Sequence, residues 1–109
     1  MNIEFEYRYR DWGNFKRYGA VVFGNHHLLT VDEISRRVLL ASTDMQSFNA
    51  SQCGVPDLFF PDFPFDPDLD HDSHEFCGAS ETELPVNDAA KRDILGLLLE
   101  METSVIAQR

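Results

Sequence analysis

The chain is short of positive charge. Its 109 residues carry 9 Lys and Arg against 19 Asp and Glu, a formal charge of −10. Between Arg37 and Lys91 there is no basic side chain at all. Duplex DNA and anionic membranes both attract Lys and Arg, so direct duplex binding and docking on a membrane surface are disfavoured. Long apolar runs are missing too. The longest, Val38-Leu39-Leu40-Ala41 and Leu97-Leu98-Leu99, fall far short of the ~20 residues needed to cross a bilayer. The first residues, Met1 to Arg8, alternate apolar and charged side chains, so they read as part of the fold and not as a secretory signal. Only two cysteines occur, Cys53 and Cys77, too few for a disulfide scaffold, and buried or half-buried thiols are expected. These absences leave a cytoplasmic protein of a bacterium or an infecting phage as the expected setting. Catalytic signatures are lacking as well: no Gly-rich phosphate loop, no Gly-x-Ser-x-Gly elbow and no His-Glu-x-x-His. No catalytic residue is nominated and no enzyme is expected.

What is present predicts one domain over 1–109, since chains of this length rarely divide. Ile3, Phe5, Tyr7 and Tyr9 alternate with Glu4, Glu6, Arg8 and Arg10, the period of a half-buried strand. Turn residues Asp11-Trp12-Gly13-Asn14 and a second apolar segment, Tyr18 to Phe23, predict a hairpin. Thr30 and Glu33 have capping-box spacing, so a helix starts near Thr30, with Ile34, Val38, Leu39 and Ala41 on the face toward the hairpin. Signals from Asp44 to Pro56 are weak and allow a short helix or turn. A third strand is expected over 74–79. Pro85 and Asn87 or Asp88 then open a last helix with Ala90, Ile94, Leu97, Leu98 and Met101 on one face. The order β-β-α-loop-β-α predicts an α+β domain with a small, mainly antiparallel sheet and helices packed on one face.

The acidity is local. Residues 1–37 are close to neutral, while the rest carry the whole surplus, densest in an acidic, Pro- and Phe-rich loop at 57–73. Its three prolines, Pro61, Pro64 and Pro67, exclude a regular helix or a central strand. Asp62, Asp66, Asp68, Asp70 and Asp72 lie among Phe59, Phe60, Phe63, Phe65 and Leu69. One reading is a solvated loop whose phenylalanines pack back on the sheet. The other is a face that docks on a basic protein groove, its carboxylates meeting Arg and Lys and its rings filling apolar pockets.

Metal sites read poorly. An EF-hand beginning at Asp66 would put His71 at its sixth position and Cys77 at its twelfth, where Gly and Glu are needed. His71, His74 and Cys77, with Cys53 and His26-His27 elsewhere, lack the paired ligand spacing of a zinc site, and on a strand His74 and Cys77 face opposite ways. No metal and no cofactor are expected. A basic and aromatic cluster, Tyr7, Tyr9, Trp12, Phe15 and Tyr18 among Arg8, Arg10, Lys16 and Arg17, has the composition of a single-strand nucleic-acid binder. Its rings are more simply the hairpin's core side and turn anchors.

Tyr9-Arg10-Asp11-Trp12-Gly13-Asn14-Phe15-Lys16, Gly54-Val55-Pro56 and Asp72-Ser73-His74-Glu75-Phe76 resemble a group of small uncharacterised bacterial proteins with a Tyr-Arg-Asp-x-x-Asn-Tyr/Phe-Lys start and a His-Glu-Phe strand. The resemblance implies a shared fold and no mechanism, and Trp12 and the Pro-Asp-Phe-rich loop depart from that pattern. In size and acidity the chain is similar to anti-CRISPR proteins and to immunity proteins of nuclease toxins. The expected function is accordingly a small non-enzymatic inhibitor that binds a basic, nucleic-acid-processing partner through Asp62, Phe63, Phe65, Asp66, Asp68, Asp70 and Asp72. The alternative is a structural or homo-oligomeric domain, with or without a His/Cys metal site.

Overall fold

The structure, a computed structural model, describes residues 1–44, 46–60 and 73–107. Its elements run β1 (Asn2–Arg10), β2 (Lys16–Phe23), α1 (Val31–Leu40), β3 (Ser47–Asn49), a 3₁₀ turn (Ser51–Cys53), β4 (Ser73–Thr82) and α2 (Ile94–Ala107). The strands form one antiparallel sheet in the order β2-β1-β4-β3, and the architecture is the α+β class expected.

Strand β1 folds as its alternation demands, with Ile3, Phe5, Tyr7 and Tyr9 buried against the helices and the even-numbered residues on the helix-free face. Phe5 sits at the centre, its ring 5.1 to 6.4 Å from those of Tyr7, Phe23, Phe48 and Phe76. Such ring pairs add about 0.5 to 1.5 kcal/mol each beyond the area they bury. The hairpin to β2 turns through residues 11–15 on Asp11. Its N–H donates to Phe15 O at 2.9 Å and its carboxylate accepts from Phe15 N–H at 2.8 Å, while Asn14 takes φ +67°, which Asn tolerates. Gly19 in β2 is a close-approach glycine: a Cβ there would lie 2.8 Å from Cδ2 of buried Leu58, which packs across it.

Helix α1 starts at the predicted cap, with Thr30 Oγ1 accepting from Glu33 N–H at 3.1 Å, and buries Ile34 and Val38. Ile34 and Val38 join the core that the hairpin residues Ile3, Phe5, Val21 and Phe23 line, and the helix comes closest to β4, with α2 beside it. The reason is topological: β4 enters the sheet next to β1 and leaves β2 at the far edge.

Three other boundaries differ from the sequence expectation. Strand β3 is only three residues long, too short for its periodicity to register, and exists through its pairing of Ser47, Phe48 and Asn49 with Glu75, His74 and Ser73. Strand β4 runs past Ala79 to Thr82 because a bulge at Cys77, between the pairs Phe76↔Tyr7 and Gly78↔Glu6, resets its register and lets pairing continue to Asn2. Helix α2 begins at Ile94, not near Asn87, so Ala90 is exposed and outside it. The residues expected to cap that helix instead run along the edge of β2. Val22 N–H donates to Asn87 Oδ1 at 2.7 Å, Asn87 N–H to Val22 O at 3.1 Å, Gly24 N–H to Arg92 O at 3.3 Å and Ile94 N–H to Gly24 O at 2.8 Å.

Candidate functional site: the hairpin end of the sheet

The nominated residues Asp62, Phe63, Phe65, Asp66, Asp68, Asp70 and Asp72 lie outside the described residues. The chain on either side of them is described in detail. Leu58 N–H donates to His74 Nε2 at 2.9 Å in the buried core, which makes Nε2 the unprotonated nitrogen of a neutral ring. Phe59 meets Tyr9 edge-on at 4.9 Å, Phe60 meets it at 6.3 Å, and Arg17 Nη1 donates to Phe59 O at 2.7 Å. On the other side, Ser73 opens β4 and His74 pairs with Tyr9. Both flanks of 61–72 are therefore fixed at the same end of the sheet as the hairpin turn. Phe59 and Phe60 pack against the core, as the solvated-loop reading expects of this segment's rings.

The basic and aromatic cluster divides. Tyr7 and Tyr9 are core residues as expected, but Trp12, Phe15 and Tyr18 are 76%, 70% and 56% exposed and stay outside the core. Trp12 and Phe15 fall beyond the last paired residues, Arg10 and Lys16, and Tyr18 points to the helix-free face, so none can reach the core. Beside them Glu75 ties two arginines: Arg8 Nε donates to its Oε1 at 2.7 Å and Arg10 Nε at 3.2 Å. Burial pushes the Glu75 carboxyl up, but the hydrogen bonds and charges of Arg8 and Arg10 together outweigh it and hold it below the usual range. The Arg8 guanidinium lies 6.0 Å from the Tyr18 ring centre. Arg8, Arg10, Lys16 and Arg17 against Asp11 and Glu75 leave the hairpin itself with a surplus of positive charge, and the five aspartates of 61–72 are joined to the chain beside it.

A second ion pair, which sequence reading passed over, holds the segment after β4. Arg92 Nε donates to Asp88 Oδ2 at 3.0 Å and its Nη2 to Oδ1 at 3.0 Å, while Nη1 donates to Cys53 O at 2.7 Å and Nη2 to Gly54 O at 3.2 Å. The Asp88 side chain is 1% exposed. Burial raises its pKa, and the hydrogen bonds and charge of Arg92 overcome that and lower it. The i,i+4 spacing was the available signal. Gly54, at φ +77°, lets this happen, because a Cβ there would crowd the guanidinium at 3.2 Å.

The two thiols differ from expectation in one respect. Cys53 is buried, but Cys77 is exposed because alternation along β4, with His74 and Phe76 facing the core, turns it to the helix-free face. Burial pushes the Cys53 thiol up to about 11, with Arg92 opposing, and burial also raises Cys77, so neither is poised as a thiolate. His74 faces the core with Phe76, and Glu75 lies on the opposite side with Arg8 and Arg10. Among the described residues no three His, Cys, Asp or Glu come together as metal ligands. His71 lies outside the described residues. Among the described residues no helix is long and apolar enough to cross a membrane. Comparison with protein-family models, with curated proteins and with solved structures found no match to this chain.

Proposed function

We propose that the chain is a small acidic, non-enzymatic inhibitor. It binds a basic, nucleic-acid-processing protein, in the manner of anti-CRISPR or nuclease-immunity proteins, through Asp62, Phe63, Phe65, Asp66, Asp68, Asp70 and Asp72. The observation that carries this reading is the double anchoring of the segment that bears them, by Leu58, Phe59 and Phe60 before it and by His74 after it. A binding segment held at both ends loses less conformational freedom on docking than a free tail. The charge supports the same reading. Arg8, Arg10, Arg37 and Arg92 are already paired with Glu75, Glu102 and Asp88, so the acidic surplus on the rest of the chain has little internal compensation.

The test is capture from a bacterial or phage-infected lysate on the immobilised protein at low salt, with a variant carrying Asp66→Asn, Asp68→Asn, Asp70→Asn and Asp72→Asn in parallel. The expected result is a nucleic-acid-binding protein that elutes as salt rises, is held about tenfold less well by the variant, and loses its nucleic-acid binding when the wild-type chain is added. Retention indifferent to both salt and the four substitutions overturns the reading.

A further inference from the structure

The edge of β2 is closed over only part of its length. Val22 turns its N–H and C=O outward, where Asn87 and Asp88 take them. In an antiparallel ladder outward groups recur every second residue, so Ala20 and Tyr18 also turn theirs away from β1. Among the described residues these have no backbone partner. Where the closing segment crosses, a cavity of about 460 Å³ opens beside Ala20 and Val21, walled by Val55, Pro56 and Ala89. At the other end of the open stretch stand Lys16 and Arg17, with the exposed rings of Phe15 and Tyr18.

We propose that the open edge from Lys16 to Ala20 takes an extended segment of a partner protein as a fifth strand. That segment carries acidic side chains beside Lys16 and Arg17 and, about four residues on, an apolar side chain that enters the cavity at Ala20. Main-chain hydrogen bonds to Tyr18 and Ala20 supply the register, and the cavity and the charges supply selectivity. An acidic peptide suits the edge better than single-stranded nucleic acid. Hydrogen-bonding groups of an exposed strand match a peptide backbone, whereas Arg8 and Arg10, already engaged by Glu75, are not free to hold a run of phosphates. A second copy pairing through this edge would bring its own Lys16 and Arg17 close to those of the first, without acids on β2 to meet them. This edge adjoins the flank of the acidic segment, where Arg17 Nη1 donates to Phe59 O at 2.7 Å, and the added strand does not require that segment to bind a partner.

Fluorescein-labelled hexapeptides, with two Asp at one end, Thr and Val in the middle and Val, Leu or Phe at the other end, probe the edge by fluorescence anisotropy. At least one should bind, more weakly as salt rises, with amide shifts in the ¹H–¹⁵N spectrum concentrated at 16–20. Ala20→Pro removes an outward N–H while leaving the bonds to β1 in place, and should weaken binding about tenfold with the rest of the spectrum unchanged. Lys16→Glu leaves the strand intact and should weaken it about threefold. N-methylation of the peptide's central residue tests the same bonds with unaltered protein and should abolish binding. The proposal is overturned if no hexapeptide binds at millimolar concentration, if binding ignores both Ala20→Pro and N-methylation, or if a dT12 strand displaces the peptide from 16–20.

Discussion

The two edges of the sheet are managed differently. Strand β3 is three residues long and its own approach turn closes it: Thr43 N–H donates to Ser47 O and Ser47 N–H to Thr43 O, both at 2.8 Å. Strand β2 is eight residues long, closed at Val22 and Gly24 by a segment that the Asp88–Arg92 pair holds in place, and open from Lys16 to Ala20. Proteins blunt exposed edges by shortness, by cover or by charge. Here β3 uses the first two, whereas the open half of β2 has only Lys16 and Arg17 and gathers three exposed aromatic rings around it. Fully protected edges carry structure, and the partly protected one is where a partner strand fits.

The contrast can be broken most severely at Arg92. Arg92→Ala leaves the Asp88 carboxylate buried without its partner and releases the carbonyls of Cys53 and Gly54, which should cost about 3 to 5 kcal/mol. Thermal unfolding should show a Tm lower by more than about 10 °C, and a drop of only a few degrees would mean that the closure does not depend on this pair. A proline pair sharpens the comparison within one strand. Val22→Pro removes the N–H held by Asn87 and should cost about 3 kcal/mol. Ala20→Pro, two residues away on the open stretch, should cost under about 1 kcal/mol. Equal losses in denaturant titrations of the two variants would mean that the edge is protected, or exposed, along its whole length.

The smallest effect is acid sensitivity. Asp88 and Glu75 are both held below the usual carboxylate range in the folded chain. Their stabilisation is therefore complete above the unfolded pKa of about 4 and disappears as pH falls through the lower folded values. Tm followed from pH 7 downward should hold to about pH 5 and then decline, and a value unchanged to pH 2 would contradict both pairings.

Much of this was legible in the chain. Strict alternation from Ile3 to Tyr9 and the Thr30 cap determine β1 and α1 by local rules alone. The start of α2 was not, because Asn87 and Asp88 have the chemistry of helix caps and spend it on Val22 and Arg92, partners 65 and 4 residues away. The same limit applied to the aromatic cluster. Composition says that Tyr7, Tyr9, Trp12, Phe15 and Tyr18 lie close together, but only the pairing register says which of them have a core to enter. The acidic face was read from charge and proline content, and the structure adds the buried hydrogen bond and ring contacts beside it, which no local pattern encodes.

Those contacts also bear on how such a chain changes over time. Leu58 lies across Gly19, Phe59 against Tyr9, and Ser73 and His74 re-enter the sheet at the same end. The chain thus leaves Phe60 and returns at Ser73 at one end of the sheet, and doubling the length of a connection between two such fixed points costs only about 0.6 kcal/mol in closure entropy. Insertions, deletions and wholesale replacement are cheap there, while the sheet and helices stay as they are.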